Sequence, residues 1–331
     1  MNENIGAQRG NPDSLSLSGR VGYAERPTIT YSPLKGDDFV KRMLAPIGIE
    51  HVVLLTQSGW KVDRVLRLTL QGMNGLDNAS AASGPTPAVA PPFRRFLEAA
   101  ALLGRLKRDA RVRFEYQTRV AEVSDLLPAK LITADALVEA NKAGARFRET
   151  DNGRAYVLTR DQRQLVLRVA ADAVASPETA RLRQLLRLAP DRSQYPLIPA
   201  AAGGASPGGP EVPRERLAWD CRSRLGVMFY LSQGVRVPAA HLRSGIVTDT
   251  RDADGGPFDW SSVLGDLFDV HVRRLPPTDA AVAIRHRGYW FYIRDDDLTT
   301  KSTFALLDQL FTLQAGSAKS AAPILTLPVG G

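Results

Sequence analysis

Cysteine is almost absent from this chain of 331 residues, and Cys221 is the only one. A single cysteine excludes an intrachain disulfide, and it also excludes the cysteine-rich sites that hold structural zinc or iron–sulfur clusters. A buried core must therefore stabilise the fold. A chain of this length can build such a core, as one large domain or as two domains of moderate size.

Long hydrophobic runs are also missing. No stretch reaches the roughly 18 to 20 apolar residues that a membrane-spanning helix needs. The N-terminal segment MNENIGAQRGNPDSLSLSGR is polar and lacks the apolar region of a secretory signal peptide. From these features alone, the chain as written is expected to stay in the cytoplasm.

The sequence lacks the short motifs of the common catalytic classes. It contains no GxxxxGKS/T or GxGxxG phosphate loop and no HExxH zinc motif. The four histidines are far apart in sequence, and each is interpreted as an ordinary surface or core residue: His51, His241, His271 and His286. We therefore predict no catalytic residues, no bound cofactor and no metal site.

Acidic residues are fewer than basic ones, and the formal net charge is +8. Arginine supplies most of the positive charge, because only eight of the 43 basic residues are lysine. Arginine pairs with carboxylates and phosphates and stacks on planar groups, so an arginine surface suits nucleic acid, anionic lipid or acidic proteins. No run of five or six like charges occurs, and GC-rich coding is the simpler reason for the arginine content.

Composition divides the chain into four segments. Residues 1–19 have few large apolar residues and no periodicity, which is typical of a disordered tail. Residues 199–213, PAAAGGASPGGPEVP, have the composition of a linker or a long surface loop. This segment separates an N-terminal lobe, residues 20–198, from a C-terminal lobe, residues 214–331.

Hydrophobic periodicity predicts helices and strands in both lobes. Helices are predicted over 36–45, 49–58, 93–108, 133–143, 176–188, within 217–233, and over 298–314 with Thr299 or Thr300 as cap. Strands are predicted over 20–34, 111–117, 145–149, 155–160, 164–170 and 267–272, and a pair over 280–297 turns at Arg287-Gly288. Residues 61–76 fit a helix or a strand. Without regular βαβ alternation, this order favours an α+β fold with antiparallel or mixed sheet segments packed against short to medium helices.

Cys221 is the first candidate for an unrecognised active site. Its neighbours Arg222 and Arg224 favour the thiolate form, which is the reactive form of cysteine. The simpler interpretation is a small buried residue at the start of an apolar helix.

Asp295, Asp296 and Asp297 form the densest group of carboxylates in the chain. Such groups can bind Ca²⁺ or Mg²⁺, or divide acid and base work between them. The spacing matches no calcium loop, so we expect one Asp to cap the following helix and the others to be solvated.

An unbroken aromatic run, Tyr289, Trp290, Phe291 and Tyr292, occupies one of the predicted strands. Because side chains alternate along a strand, Trp290 and Tyr292 share one face, and the other two share the opposite face. Three arginines are close in sequence: Arg285, Arg287 and Arg294. Either one face is core and the other a stacking or partner-binding surface, or helices cover both faces.

Four segments carry a family resemblance. They are ERPTITYSPLKGDDFVKRMLAPI (25–47), QSGWKVDRVLRLTLQGMNGL (57–76), RSRLGVMFYLSQGVRVP (222–238) and RGYWFYIRDDDLTTKSTFALLDQLFTLQAG (287–316). Through them, the chain from about residue 20 onward resembles an uncharacterised family of bacterial hypothetical proteins, many of them described as lipoproteins. The resemblance implies a place in the cell envelope, and it implies no activity and no catalytic residues.

The N-terminal segment differs from what this resemblance implies. Members of the family commonly have a signal with a lipid-acceptor cysteine, and no such cysteine precedes residue 20 here. Either the start lies further upstream, or the chain is a mature form, or this member is not exported.

Three functions are compatible with the sequence. The leading hypothesis is a non-enzymatic envelope protein that binds a protein partner. The second is an enzyme with an unrecognised site near Asp295–Asp297 or Cys221. The third is a nucleic-acid-binding protein that uses its arginine surface.

Overall fold

A computed structural model describes residues 36–150, 153–200 and 214–315 of the chain. Helices and strands of these residues form an α+β fold. The helices are α1 (Gly36–Leu44), α2 (Ile49–Gln57), α3 (Val62–Thr69), α4 (Arg94–Arg108), α5 (Ala134–Lys142), α6 (Pro177–Leu186), α7 (Arg224–Ser232), α8 (Ala239–Arg243), α9 (Ser261–Leu264) and α10 (Leu298–Ala315). The tail at 1–19, the strand predicted over 20–34 and most of the predicted linker lie outside the described residues.

The strands form two sheets. They are β1 (Leu70–Met73), β2 (Leu76–Asp77), β3 (Val112–Glu122), β4 (Leu127–Pro128), β5 (Ala145–Thr150), β6 (Ala155–Val169), β7 (Gln194–Pro199), β8 (Leu217–Cys221), β9 (His271–Arg273), β10 (Ala280–His286) and β11 (Tyr289–Arg294). The larger sheet follows the order β2-β1-β8-β7-β6-β3, and β4 and β5 also pair with β6. The smaller sheet follows the order β10-β11-β9.

The larger sheet joins residues from both sides of the segment predicted as a linker. β7 and β8 pair in parallel, and the remaining pairs of this sheet are antiparallel, so the sheet is mixed. β1 then pairs with the other edge of β8. The stretches before and after residues 201–213 therefore share one sheet.

The hydrophobic core lies where helices α2, α3, α4, α6 and α7 meet the larger sheet. α3 is its most buried helix, with Val65, Leu66 and Leu68 fully removed from solvent. On the sheet, the Trp219 and Phe114 rings meet edge to face, with centroids 5.4 Å apart. Burial of these large side chains supplies the stabilisation that disulfides give to smaller secreted proteins.

Two helix starts confirm the sequence-based predictions. Thr133 caps α5 by accepting a hydrogen bond from the Ala136 N–H at 3.2 Å. Ser176 caps α6 in the same way, and proline occupies the first helical position. A hydroxyl at this position satisfies an N–H that has no partner within the helix.

Three predictions of local structure are wrong. Residues 61–76 do not form one element, because α3 ends at Thr69 and the Asn74-Gly75 turn, with φ of 49° and 80°, folds β1 onto β2. The two strands predicted over 155–160 and 164–170 are the single strand β6. The strand predicted over 267–272 is displaced, because Leu267 and Phe268 belong to the turn after α9 and β9 begins only at His271.

Candidate functional site

The candidate site lies on the smaller sheet. β10 and β11 are joined by a turn at Arg287-Gly288, as predicted, and the φ angles of 48° and 81° are those of a type I′ turn. Glycine tolerates such an angle without strain. A two-residue turn of this type fixes the register, so His286 lies opposite Tyr289.

This register places Trp290 between two arginines. Trp290 lies opposite Arg285 on β10 and opposite Arg273 on β9. Residues directly opposite each other share one face of a sheet, so the three side chains form a row across it. Both arginines are exposed and Trp290 is half-buried. We refer to this side of the sheet as the arginine–tryptophan face.

A second row extends the same face. Tyr292 lies opposite Ala283 on β10 and His271 on β9. The Tyr292 and His271 rings are 5.5 Å apart, and His271 Nε2 is 3.7 Å from the nearer Asp269 carboxylate oxygen. The face therefore presents two aromatic rings between basic side chains.

The opposite face of the sheet is apolar. Val282 lies opposite Ile293, and Ile284 lies opposite Phe291. Ile293 is buried, whereas the residues on β10 are 44% and 64% exposed. Tyr289 ends this face, where its ring meets that of His241 edge to face at 5.1 Å. The apolar face is thus anchored through β11 and open to solvent along β10.

The smaller sheet is attached to the body of the protein through Val235 and Val270. Arg236 N–H donates to the Val270 carbonyl at 2.9 Å, and Val270 N–H donates to the Gly234 carbonyl at the same distance. A Cβ on Gly234 would lie 2.5 Å from the Phe268 carbonyl oxygen, so the backbones can approach this closely only at glycine. The Arg236 guanidinium also binds both oxygens of the Asp269 carboxylate, at 2.9 and 2.6 Å.

The acidic triplet after β11 is not a free group of carboxylates. Asp295 forms an ion pair with Lys301 on α10. Asp296 pairs with Arg294, whose Nε donates at 2.9 Å. Among the described residues, no group of three or more His, Cys, Asp or Glu side chains is arranged to hold a metal ion.

Asp297 caps α10. Its carboxylate accepts the Thr300 N–H at 2.9 Å, so the cap is this aspartate and not Thr299 or Thr300. The Thr300 hydroxyl instead accepts the Asp269 N–H at 3.0 Å. Partial burial raises the pKa of Asp297, whereas the hydrogen bonds that its carboxylate receives from Thr300 and Thr299 lower it. The hydrogen bonds outweigh burial, so the pKa lies below its ordinary value. The capping role expected for one of the three aspartates is confirmed.

Cys221 lies on β8, opposite Leu70 of β1. Burial raises the pKa of its thiol to about 12, and the nearby charges of Asp220 and Glu50 act in the same direction. The neighbouring Arg222 does not lower this pKa, because its guanidinium points into the core to bind main-chain carbonyls. A thiol in this environment stays protonated at neutral pH and is a poor nucleophile.

A cleft of about 750 Å³ opens beside the smaller sheet. Its polar lining is engaged within the protein. Arg236 is paired with Asp269, and the Trp260 indole N–H donates to the Thr250 hydroxyl at 3.2 Å. Four polar side chains of the cleft are therefore already bonded within the protein.

The structure brings together some of the predicted interaction residues and separates others. Arg285, Trp290 and Tyr292 share the arginine–tryptophan face, whereas Tyr289 belongs to the apolar face. Arg287 lies in the turn, and Arg294 is paired with its neighbouring aspartate.

Sequence reasoning missed three residues of the site: Arg273, His241 and His271. Arg273 belongs to the site only because β9 pairs with β11. His241 and His271 belong to it because their rings pack on tyrosines of β11. No motif in the sequence marks them.

Comparison of the chain with protein-family models finds no matching family, and comparisons with curated proteins and with solved structures find no match either. None of the described helices combines the length and the apolar character that crossing a lipid bilayer requires.

Proposed function

We propose that the protein is a non-enzymatic binding protein of the bacterial cell envelope, and that it binds an acidic partner protein through the arginine–tryptophan face. The observation that carries the proposal is the row formed by Arg285, Trp290 and Arg273. Tryptophan and arginine are the side chains that most often dominate the energy of protein interfaces.

Charge determines the kind of partner. Within the described part of the chain, the guanidinium of neither Arg273 nor Arg285 has a hydrogen bond or ion pair. A guanidinium binds a carboxylate through two parallel hydrogen bonds, so each of these arginines is available for an Asp or Glu of a partner. The net charge of +8 accelerates the approach of an acidic protein over longer distances.

The alternatives have less support. An enzyme using Cys221 would need a thiolate, and burial disfavours it. An enzyme using the aspartates would need carboxylates that are free to act, whereas these are paired or capping. Nucleic acid also stacks on aromatic rings flanked by arginine, so it is the competing ligand of the same face. The envelope location rests on the family resemblance.

Site-specific photo-crosslinking in the native host tests the proposal. A photoreactive amino acid replaces Ala283, which is exposed on β10, and in a matched control it replaces Leu137, which is 45% exposed on α5. We expect a protein adduct from position 283 and none from position 137. Arg285→Glu should abolish the adduct, whereas the same charge reversal at Arg105, which is exposed on α4, should leave it unchanged.

Two outcomes would contradict the proposal. A nuclease-sensitive adduct would identify nucleic acid as the ligand, and an adduct that survives Arg285→Glu would show that the arginine–tryptophan face is not used. Membrane fractionation of cells that express the protein from its native locus tests the envelope location separately.

A further inference from the structure

β10 is an edge strand with little of the usual protection. Among the strands that the structure describes, it pairs with β11 alone, and every residue from Ala281 to His286 is exposed. Proteins commonly block such edges with proline, a bulge or charged side chains, lysine above all, and the charged side chain of this edge is Arg285. The sequence AAVAIRH has neither proline nor lysine, and the bulge in this strand lies at its beginning, between Ala280 and Val282.

The turn determines which main-chain groups face the open edge. In a two-residue type I′ hairpin, the residues next to the turn form a hydrogen-bonded pair, and the pairs alternate along the strands from there. Starting from His286–Tyr289, Ile284 bonds to β11, while Ala283 and Arg285 do not. The N–H and C=O groups of Ala283 and Arg285 therefore point away from β11 toward solvent.

We propose that the partner docks by adding a β-strand to this edge, and that its side chains alternate between acidic and apolar. The inference rests on the proposed function and specifies its binding mode. Acidic side chains of the added strand would lie on the arginine–tryptophan face beside Arg285. Apolar side chains would lie on the other face, beside Val282 and Ile284, which are 44% and 64% exposed. Main-chain hydrogen bonds supply affinity in this mode, and the alternating side chains supply specificity.

Two other occupants fit less well. Antiparallel pairing of β10 with a second copy would bring Arg285 of both chains onto one face, where like charges repel. The chain's own residues 316–331, GSAKSAAPILTLPVGG, contain no Asp or Glu to meet the arginines. An acidic strand from a different protein satisfies both faces of the edge.

The first test uses two labelled nine-residue peptides of identical composition, with binding to the full chain measured by fluorescence anisotropy. One alternates glutamate with valine and threonine, and the other places its glutamates together. We expect the alternating peptide to bind at least tenfold more tightly. Arg285→Glu should weaken its binding at least tenfold, and Arg105→Glu should not change it. Amide exchange at Ala283 and Arg285 should slow when the peptide binds.

A second test removes main-chain donors from the peptide, so it does not depend on how a protein variant folds. The alternating peptide is N-methylated either at its glutamates or at its apolar residues. Alternate N–H groups of a strand point to opposite edges, so only one of the two groups of N–H donors can bond to β10. Strand addition therefore requires that one of the two N-methylated peptides lose binding and the other keep it. On the protein, Ala283→Pro should weaken binding at least tenfold while leaving the β10–β11 hydrogen bonds intact.

The outcomes separate the inference from the function. Equal binding of the alternating and grouped peptides, both abolished by Arg285→Glu, would overturn strand addition and leave the acidic docking face in place. Equal effects of the two N-methylated forms would overturn strand addition as well. If neither acidic peptide binds, both the inference and the proposed acidic partner are contradicted.

Discussion

Arg222 offers the sharpest test of how this core is stabilised. The residue is 1% exposed, and its guanidinium lies over the Tyr230 ring with a separation of 3.8 Å. It donates to the carbonyls of Arg67, Leu70 and Asn78 and to the Ser83 hydroxyl. Arg67 belongs to the last turn of α3, where carbonyls have no partner within the helix. The guanidinium is therefore an internal cap for the C-terminal end of α3.

The substitution Arg222→Met keeps most of the side-chain volume and removes these donors. Asn78 Nδ2 still donates to the Arg67 and Leu70 carbonyls, but the Asn78 carbonyl loses the bond from Arg222. An orphaned buried carbonyl costs about 1–3 kcal/mol, and a desolvated cation–π contact contributes about 2 kcal/mol. Relief from burying a charge offsets part of this loss. We expect a destabilisation of about 3 kcal/mol.

Urea unfolding followed by circular dichroism measures this loss. Arg222→Lys should lose about 2 kcal/mol of stability, which lies between wild type and Arg222→Met. Its single ammonium keeps the charge but cannot bind all of the carbonyls that the guanidinium binds. Arg105→Met, on the exposed side of α4, is the matched control and should change stability by no more than about 0.5 kcal/mol. A loss of less than about 1 kcal/mol for Arg222→Met would refute the idea that the Arg222 guanidinium stabilises this core through the Asn78 carbonyl and the Tyr230 ring.

Three further predictions address the chemistry and attachment of the site. Iodoacetamide at about pH 8 should leave Cys221 unmodified in the folded protein, because the pKa of its thiol is raised to about 12, and should alkylate it in urea. Intact mass measures the alkylation. Rapid alkylation of the folded protein would contradict the burial of Cys221. Asp297→Ala should cost about 1 kcal/mol in urea unfolding at neutral pH. Because the folded-state pKa of Asp297 is lowered, this stabilisation is complete above the ordinary value of 3.8 and is lost as pH falls through the folded pKa, so wild type and variant should converge in acid. Gly234→Ala should lower the free energy of unfolding by about 1–3 kcal/mol, because the added Cβ clashes with the Phe268 carbonyl. Gly84→Ala, with open space around it, should cost less. Equal losses would contradict the close approach of the Gly234 and Phe268 backbones.

The parts of the fold that the sequence predicts well are those with local signals. α6 begins at a serine followed by proline, and its apolar residues recur at helical spacing. The turn at Arg287-Gly288 follows from a glycine between two strand-like runs. In each case the residues that decide the structure are neighbours, so a short window contains the information.

The parts that sequence reasoning missed depend on distant pairing. β8 is only five residues long, and one of its two neighbours in the sheet, β1, comes from far earlier in the chain. Its sequence, LAWDC, has no feature that separates a strand from the start of a helix. The row of Arg285, Trp290 and Arg273 also depends on pairing between distant strands. Arg273 meets Trp290 only because β9 pairs with β11, and β10 lies between these two strands in sequence.

The place of β8 in the larger sheet also determines when that sheet can be completed during synthesis. β8 lies between β1 and β7, yet it is the last of these three strands to be made. At about 5–20 residues per second, it leaves the ribosome seconds after β7. During that interval, β1 and β7 each present an edge without its native neighbour. Such open edges promote aggregation of the nascent chain, and we expect a chaperone that shields them to protect it during this interval.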